Sequence, residues 1–174
     1  MPMNKKPTKQ NFHDSTPIYS EAKELFKKHS SVKNLILRIR FYITKHAFSL
    51  PERYKPKSIL ESRFTPPLEA FNKGMLSCGA LTNISAEMLR SVGFKVRLIH
   101  GENSKSVDHA WLSVYEKGKG WVQYDLTRKE LDITPEHKVK MICDDWEDIR
   151  DQILKDHQTY QTRKNRLINQ ETRL

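Results

Sequence analysis

Residues 108–126 constrain the fold of this chain more than any other stretch. Two alternating apolar runs, 108–115 and 120–126, flank Glu116-Lys117-Gly118-Lys119 and read as an antiparallel hairpin. With Glu116 to Gly118 as a three-residue loop and Gly118 at its flexible position, Tyr115 pairs with Lys119. His109 then falls opposite Asp125, Trp111 opposite Gln123 and Ser113 opposite Trp121. Directly opposed residues on antiparallel strands share a face. One face carries Ala110, Leu112, Val114, Val122, Tyr124 and Leu126, a core face. The other carries His109, Trp111, Ser113, Trp121, Gln123 and Asp125. A one-residue slip would move a strand's apolar set out of the core, so the two-faced pattern supports this register.

The polar face sets an imidazole beside a carboxylate, the arrangement that fixes a tautomer and stabilises an imidazolium. Taken alone, such a pair equally suits a polar surface contact. A cysteine changes the weighing. Cys78 lies where the glycine-bearing segment Lys73-Gly74-Met75-Leu76-Ser77 enters a helix predicted to run to about Val92, with Leu81, Ile84, Met88, Leu89 and Val92 on its apolar face. A thiol at a helix start feels the positive end of the dipole, which favours the thiolate. Most lone cysteines are simply small buried residues. Cys143 fits that description, since Asp144 and Asp145 follow it and would raise its pKa.

Around these pieces the chain reads as one domain over 18–174 behind a flexible basic leader, 1–17. Ser20 caps a helix through about His29, and a second helix runs from Ser31 to about Phe48 with Val32, Leu35, Ile36, Ile39, Tyr42 and Ile43 at helical spacing. The prolines at 51, 56, 66 and 67 mark 49–67 as a connection without regular structure that could wall a cleft, ended by a short helix reaching Phe71. Gly93 is placed to stop the Cys78 helix, and 95–100 reads as a strand. A last helix is expected over about 145–166, with Trp146, Ile149, Ile153, Leu154 and Tyr160 on one side.

Composition narrows the class. The chain has 174 residues, enough for one core, and a mean hydropathy of -0.73 with 37% hydrophobic residues. No apolar run approaches the ~20 residues of a membrane helix, and the basic N-terminus lacks the apolar stretch of a signal peptide. Two cysteines make no disulfide framework, so a cytoplasmic location is expected. The net charge of +10 is uneven: residues 1–70 carry 14 Lys/Arg against 6 Asp/Glu, and 71–174 carry 17 against 15. The basic half is an ordinary solvated surface or a face for an acidic partner, a nucleic acid or a membrane surface. No zinc-finger spacing or RNP-like motif turns it into a recognition code.

Three segments in order resemble the transglutaminase-like superfamily over residues 68–128. Gly74-Met75-Leu76-Ser77-Cys78-Gly79-Ala80, followed by Leu89-Arg90-Ser91-Val92-Gly93, is similar to the family's nucleophile helix and the turn after it. Asp108-His109-Ala110-Trp111 is similar to its His-Ala-Trp strand, and Gly120-Trp121-Val122-Gln123-Tyr124-Asp125-Leu126-Thr127 to its Gly-Trp-Val-x-x-Asp-x-Thr strand. The resemblance implies a papain-like α+β fold: a nucleophile helix packed on an antiparallel β-sheet, with added N- and C-terminal helices. It implies Cys78 as nucleophile, His109 as general base and acid, and Asp125 as the residue orienting His109.

The chemistry expected is acyl transfer or hydrolysis at a peptide or side-chain amide through a thioester, as in a transglutaminase, protease or amidase. A protein or peptide carrying that amide would be the substrate. Two other readings stand beside it: a peptide N-glycanase-like deglycosylase, although the zinc-binding CxxC pairs of such enzymes are absent, and an inactive binding module using the basic half. Asn72, six residues before Cys78, is a candidate oxyanion donor or a simple turn residue. Trp111 and Trp121 are candidates for an acyl channel or for plain packing. No cofactor or metal is expected, since no acidic loop is spaced like an EF-hand.

Overall fold

The computed structural model describes residues 17–103, 105 and 107–171, and at 167 and 169–171 the backbone alone. The expected leader lies outside these residues except for Pro17, which opens the first helix. Six helices and four strands follow in order: α1 (Pro17–Lys28), α2 (Val32–Ser49), α3 (Ile59–Phe64), α4 (Pro67–Asn72), α5 (Cys78–Ser91), β1 (Val96–Glu102), β2 (Asp108–Glu116), β3 (Gly120–Tyr124), β4 (Lys138–Cys143), a 3-10 turn (Trp146–Ile149) and α6 (Arg150–Glu171). The strands form one antiparallel sheet in the order β3-β2-β1-β4. The fold is the α+β arrangement that the sequence implied.

Helix α5 is the centre of the molecule. Every residue from Gly79 to Ala86 is buried, as are Met88 and Leu89, so this helix is covered on all sides. It packs on β1 and β2 and is surrounded by α1, α2, α3 and α4. Ser77 caps its start by accepting a hydrogen bond from the Ala80 N–H. Its end is a Schellman turn. Gly93 takes φ +94, its N–H bonds the Arg90 carbonyl at 3.0 Å, and the Phe94 N–H bonds the Leu89 carbonyl at 3.1 Å. The core face of the hairpin, Ala110, Leu112, Val114, Tyr124 and Leu126, is buried in the same cluster as Ile84, Met88 and Leu89, with Val122 partly buried against it.

Five expectations need correction. The first helix opens at Pro17, so Ser20 lies within α1 and does not cap it. The segment 49–67 holds a helix, α3, because Ser58 caps it through the Glu61 N–H at 3.1 Å and no proline lies between 57 and 65. Six residues are too few to show a helical period. The hairpin register is shifted by two. Glu116 pairs with Gly120, Tyr115 with Trp121, Ser113 with Gln123 and Leu112 with Tyr124, which leaves Lys117 to Lys119 as the loop. Glu116 stays in the strand because its carboxylate is buried and accepts from the Tyr124 hydroxyl and Lys119. A shift of two keeps every side chain on its face, so His109 and Asp125 stay together although they are not directly opposed. Strand β4 was not expected at all. Its burial is one-sided and its apolar residues Val139 and Ile142 are exposed, so it lacks a strand's usual signal. The last helix begins as a 3-10 turn behind an Asp145 capping box and runs on to Glu171. Among the described residues, no helix is long and apolar enough to cross a membrane.

Candidate active site

Cys78 is the first residue of α5, behind the Ser77 cap, and its side chain is half-buried. Its thiol hydrogen-bonds the ring of His109, and the Ala110 N–H points to it. Burial would raise the Cys78 pKa. The His109 ring, the Arg63 guanidinium and the Ala110 amide outweigh it and hold the thiol below its ordinary value. His109, near the start of β2, points its Nε2 at the Asp125 Oδ2 at 2.9 Å. A lone pair there would face a carboxylate oxygen, so Nε2 carries a proton and Nδ1 is left for Cys78. Burial would lower the His109 pKa, yet the bonds to Asp125 and Cys78 push it up to about 9. Asp125 follows β3 directly. Burial would raise its pKa, and hydrogen bonds from His109 and Thr127 hold it far below the carboxylate range.

The carboxylate is fixed from all sides. Oδ1 accepts from the Thr127 N–H at 2.9 Å and the Thr127 hydroxyl at 2.7 Å. Oδ2 accepts from His109 and, at 3.1 Å, from Nε2 of His137. The Asp125 N–H donates to the Leu131 carbonyl at 2.8 Å. His109, Asp125 and His137 each offer a ligand-type atom, all within 4.8 Å of one another. A divalent metal there would need lone pairs on both Nε2 atoms and would have to displace the two hydrogen bonds to Oδ2.

Arg63, fully buried, donates to the His109 carbonyl at 3.0 Å and to the Asp108 carboxylate at 3.0 Å. A second histidine lies on the core face of the sheet. His100 meets Asp108 at 3.2 Å through Nδ1 and Asp156 of α6 at 2.9 Å through Nε2. This cluster stands apart from Asp125. The sequence offered no signal for Arg63, which sits in a helix that was not expected, or for His137, which lies in an irregular segment. Thr127 stood at the end of the Gly-Trp-Val-x-x-Asp-x-Thr strand, but its role in holding Asp125 was not read from the sequence.

Of the other candidates, Trp111 touches the site, while Asn72 and Trp121 are exposed. Asn72 is the exposed last residue of α4. Trp111 is fully buried, donates Nε1–H to Gln123 at 2.8 Å, and packs against His109 and, edge-on, His137. Trp121 is exposed beside Tyr115, with the Arg97 guanidinium 4.0 Å above its ring. Cys143 is buried among apolar groups. Burial, followed by Asp148, Asp145 and Asp144, pushes its thiol up to about 12.

A family model described as the transglutaminase-like superfamily matches residues 20–126, more than half of the chain. The chain belongs to the transglutaminase-like superfamily. Among solved structures, a candidate cysteine protease from Cytophaga hutchinsonii superposes with a TM-score of 0.58 at 18% identity, covering 75% of this chain and 43% of that one. A structure described as a TGase gives 0.49 at 18% identity, covering 64% of this chain and 31% of that one. Calcium-bound LapG of Legionella pneumophila gives 0.42 at 13% identity, covering 71% and 82%. This superfamily member therefore spans less than half the length of the first two structures. No curated protein matches it. The family is the transglutaminase-like superfamily, and the fold is shared with the Cytophaga hutchinsonii protein.

Proposed function

We propose that this chain is a thiol enzyme that attacks amide bonds through a Cys78 thioester. The observation that carries the reading is the His109 ring held between the Cys78 thiol and the Asp125 carboxylate. Cys78 as thiolate adds to the amide carbonyl. The negative oxygen is met by the Cys78 N–H, which at the first helical position has no acceptor within its own helix. His109 as imidazolium gives its Nδ1 proton to the departing nitrogen, the C–N bond breaks, and the acyl group stays on sulfur. Water or a primary amine then attacks the thioester, His109 takes its proton, and the thiolate leaves. Asp125 keeps the imidazole tautomer and orientation through both halves.

Hydrolysis and crosslinking share the thioester and differ only in what attacks it. The test is product analysis by mass spectrometry on a glutamine-containing peptide with a primary amine. An amine adduct, a deamidated glutamine or a cleaved backbone is expected from the wild type and none from Cys78→Ser. Products of equal yield from both proteins would contradict the reading.

A further inference from the structure

We propose that His137 is a positioning residue for the Cys78–His109–Asp125 set: its Nε2–H shares the Asp125 Oδ2 with His109 and locks the carboxylate in the rotamer that serves His109. The inference rests on the function proposed above. His137 lies in the segment after β3, beyond residues 20–126 that the family model matches.

The tautomer follows from two independent contacts. Nε2 of His137 stands 3.1 Å from a carboxylate oxygen, which requires a proton on Nε2. Its Nδ1 receives the Thr134 N–H at 3.3 Å, a donor whose hydrogen is fixed by the backbone, so Nδ1 keeps its lone pair. Together these assign His137 as an Nε2–H donor to Asp125 with Nδ1 as acceptor. The competing arrangement has Nδ1–H donating to the Thr134 hydroxyl at 3.0 Å, and it would turn a lone pair on Asp125. Glu136 also reaches that hydroxyl.

The segment is built to hold the ring in place. The His137 side chain is 1% exposed and the Asp125 side chain 2%. Trp111 packs edge-on against the ring at 5.3 Å. From α2, Arg40 donates to the Arg128 and Lys129 carbonyls and Lys33 pairs with Asp132 at 2.9 Å, so the loop is tied down on its outer side. Leu131, fully buried, is held at φ +62, a conformation that a leucine keeps only when its surroundings impose it. With His137 in place Asp125 accepts four hydrogen bonds, filling its acceptor sites, and no water can compete with His109 for Oδ2. The groups facing His109 are Cys78, Asp125, Thr127 and the His137 ring, with Arg63 on its carbonyl.

The test has two arms on the full chain. Long-range ¹H–¹⁵N spectra of the labelled wild type should show His137 neutral with its proton on Nε2; the Nδ1–H or doubly protonated form would overturn the proposal. This arm needs no activity, so it stands or falls apart from the thioester reading. In the second arm, His137→Phe removes the donor and His137→Gln restores an N–H of similar reach. Alkylation of Cys78 by iodoacetamide near neutral pH should slow about tenfold in His137→Phe, the scale of one hydrogen bond to a charged group. The alkaline step of its pH profile, where His109 loses its proton, should move down from about 9. His137→Gln should stay within about twofold of wild type on both readouts. Equal behaviour of the two variants, whether both unimpaired or both impaired, would overturn the proposal. Should His137→Phe not fold, the glutamine variant and the spectra still decide.

Discussion

Burial alone would strip the proton from His109, yet its pKa is pushed up to about 9, because Asp125 and Cys78 both hydrogen-bond the ring. Cys78 shows the mirror image, a thiol that burial would keep neutral and that the same ring draws toward the thiolate. The two shifts together favour the thiolate–imidazolium form of the pair, with His109 holding its proton up to about pH 9. The sign follows from the raised histidine: its contribution is complete below an ordinary histidine pKa of about 6.5 and is lost as pH rises through the folded value. Asp125→Asn removes the charge that holds the His109 proton. We expect product formation to fall on the order of 10²–10⁴-fold, as when a triad loses its orienting carboxylate. The alkaline limb of the pH–rate profile should shift downward, and a pH–rate series on the variant checks both. Cys78, His109 and Asp125 were legible as candidates because each stands in a short segment whose alternation or cap marks its position. Arg63 and His137 were not, since a buried cation and a second imidazole reach the site through tertiary contacts that leave no local pattern.

Helix α5 and the hairpin could be read from sequence because each buries a whole face. Helix α3 and strand β4 could not, one being a turn and a half of helix between prolines and the other a strand with exposed apolar residues. The register slip came from treating Glu116 as a loop residue, when its buried carboxylate is satisfied by Tyr124 and Lys119. The contact of α3 with the start of α5 sets how Cys78 is presented. A Cβ at Gly79 would stand 2.6 Å from the Ser62 hydroxyl, 2.9 Å from Arg63 Cγ and 3.0 Å from the Ser62 carbonyl. Gly79→Ala must push α3 away. It should destabilise the protein by about 1–3 kcal/mol, the usual cost of overpacking, with slower Cys78 alkylation as Arg63 withdraws. Urea unfolding and alkylation rate measure the two effects. An unchanged midpoint would mean that α3 yields freely.

Across the whole molecule, acid should be the destabilising direction. Burial would raise the pKa values of Asp108, Asp125 and Asp156. The His100 ring beside Asp108 and Asp156, and the hydrogen bond from His109 to Asp125, with Arg63, Thr127, Gln152 and Lys140 adding to them, lower all three instead. A depressed carboxylate contributes stability above its unfolded pKa of about 3.9, and that contribution fades as pH falls toward the folded value. Urea midpoints should thus hold near neutrality and drop steeply below about pH 4; a flat profile to pH 3 would contradict the assignments. The same molecule carries its own control for the central claim, since its two thiols are placed in opposite environments. Cys78 starts a helix beside an imidazole, and Cys143 is buried near three aspartates. The most direct measurement is the rate of iodoacetamide labelling at each thiol near neutral pH, read by peptide mass spectrometry in the folded wild type and in His109→Ala. Labelling of Cys78 should outpace that of Cys143 by at least about a hundredfold, with the excess largely lost in His109→Ala. Equal rates at the two thiols, unaffected by the substitution, would contradict a Cys78–His109–Asp125 triad.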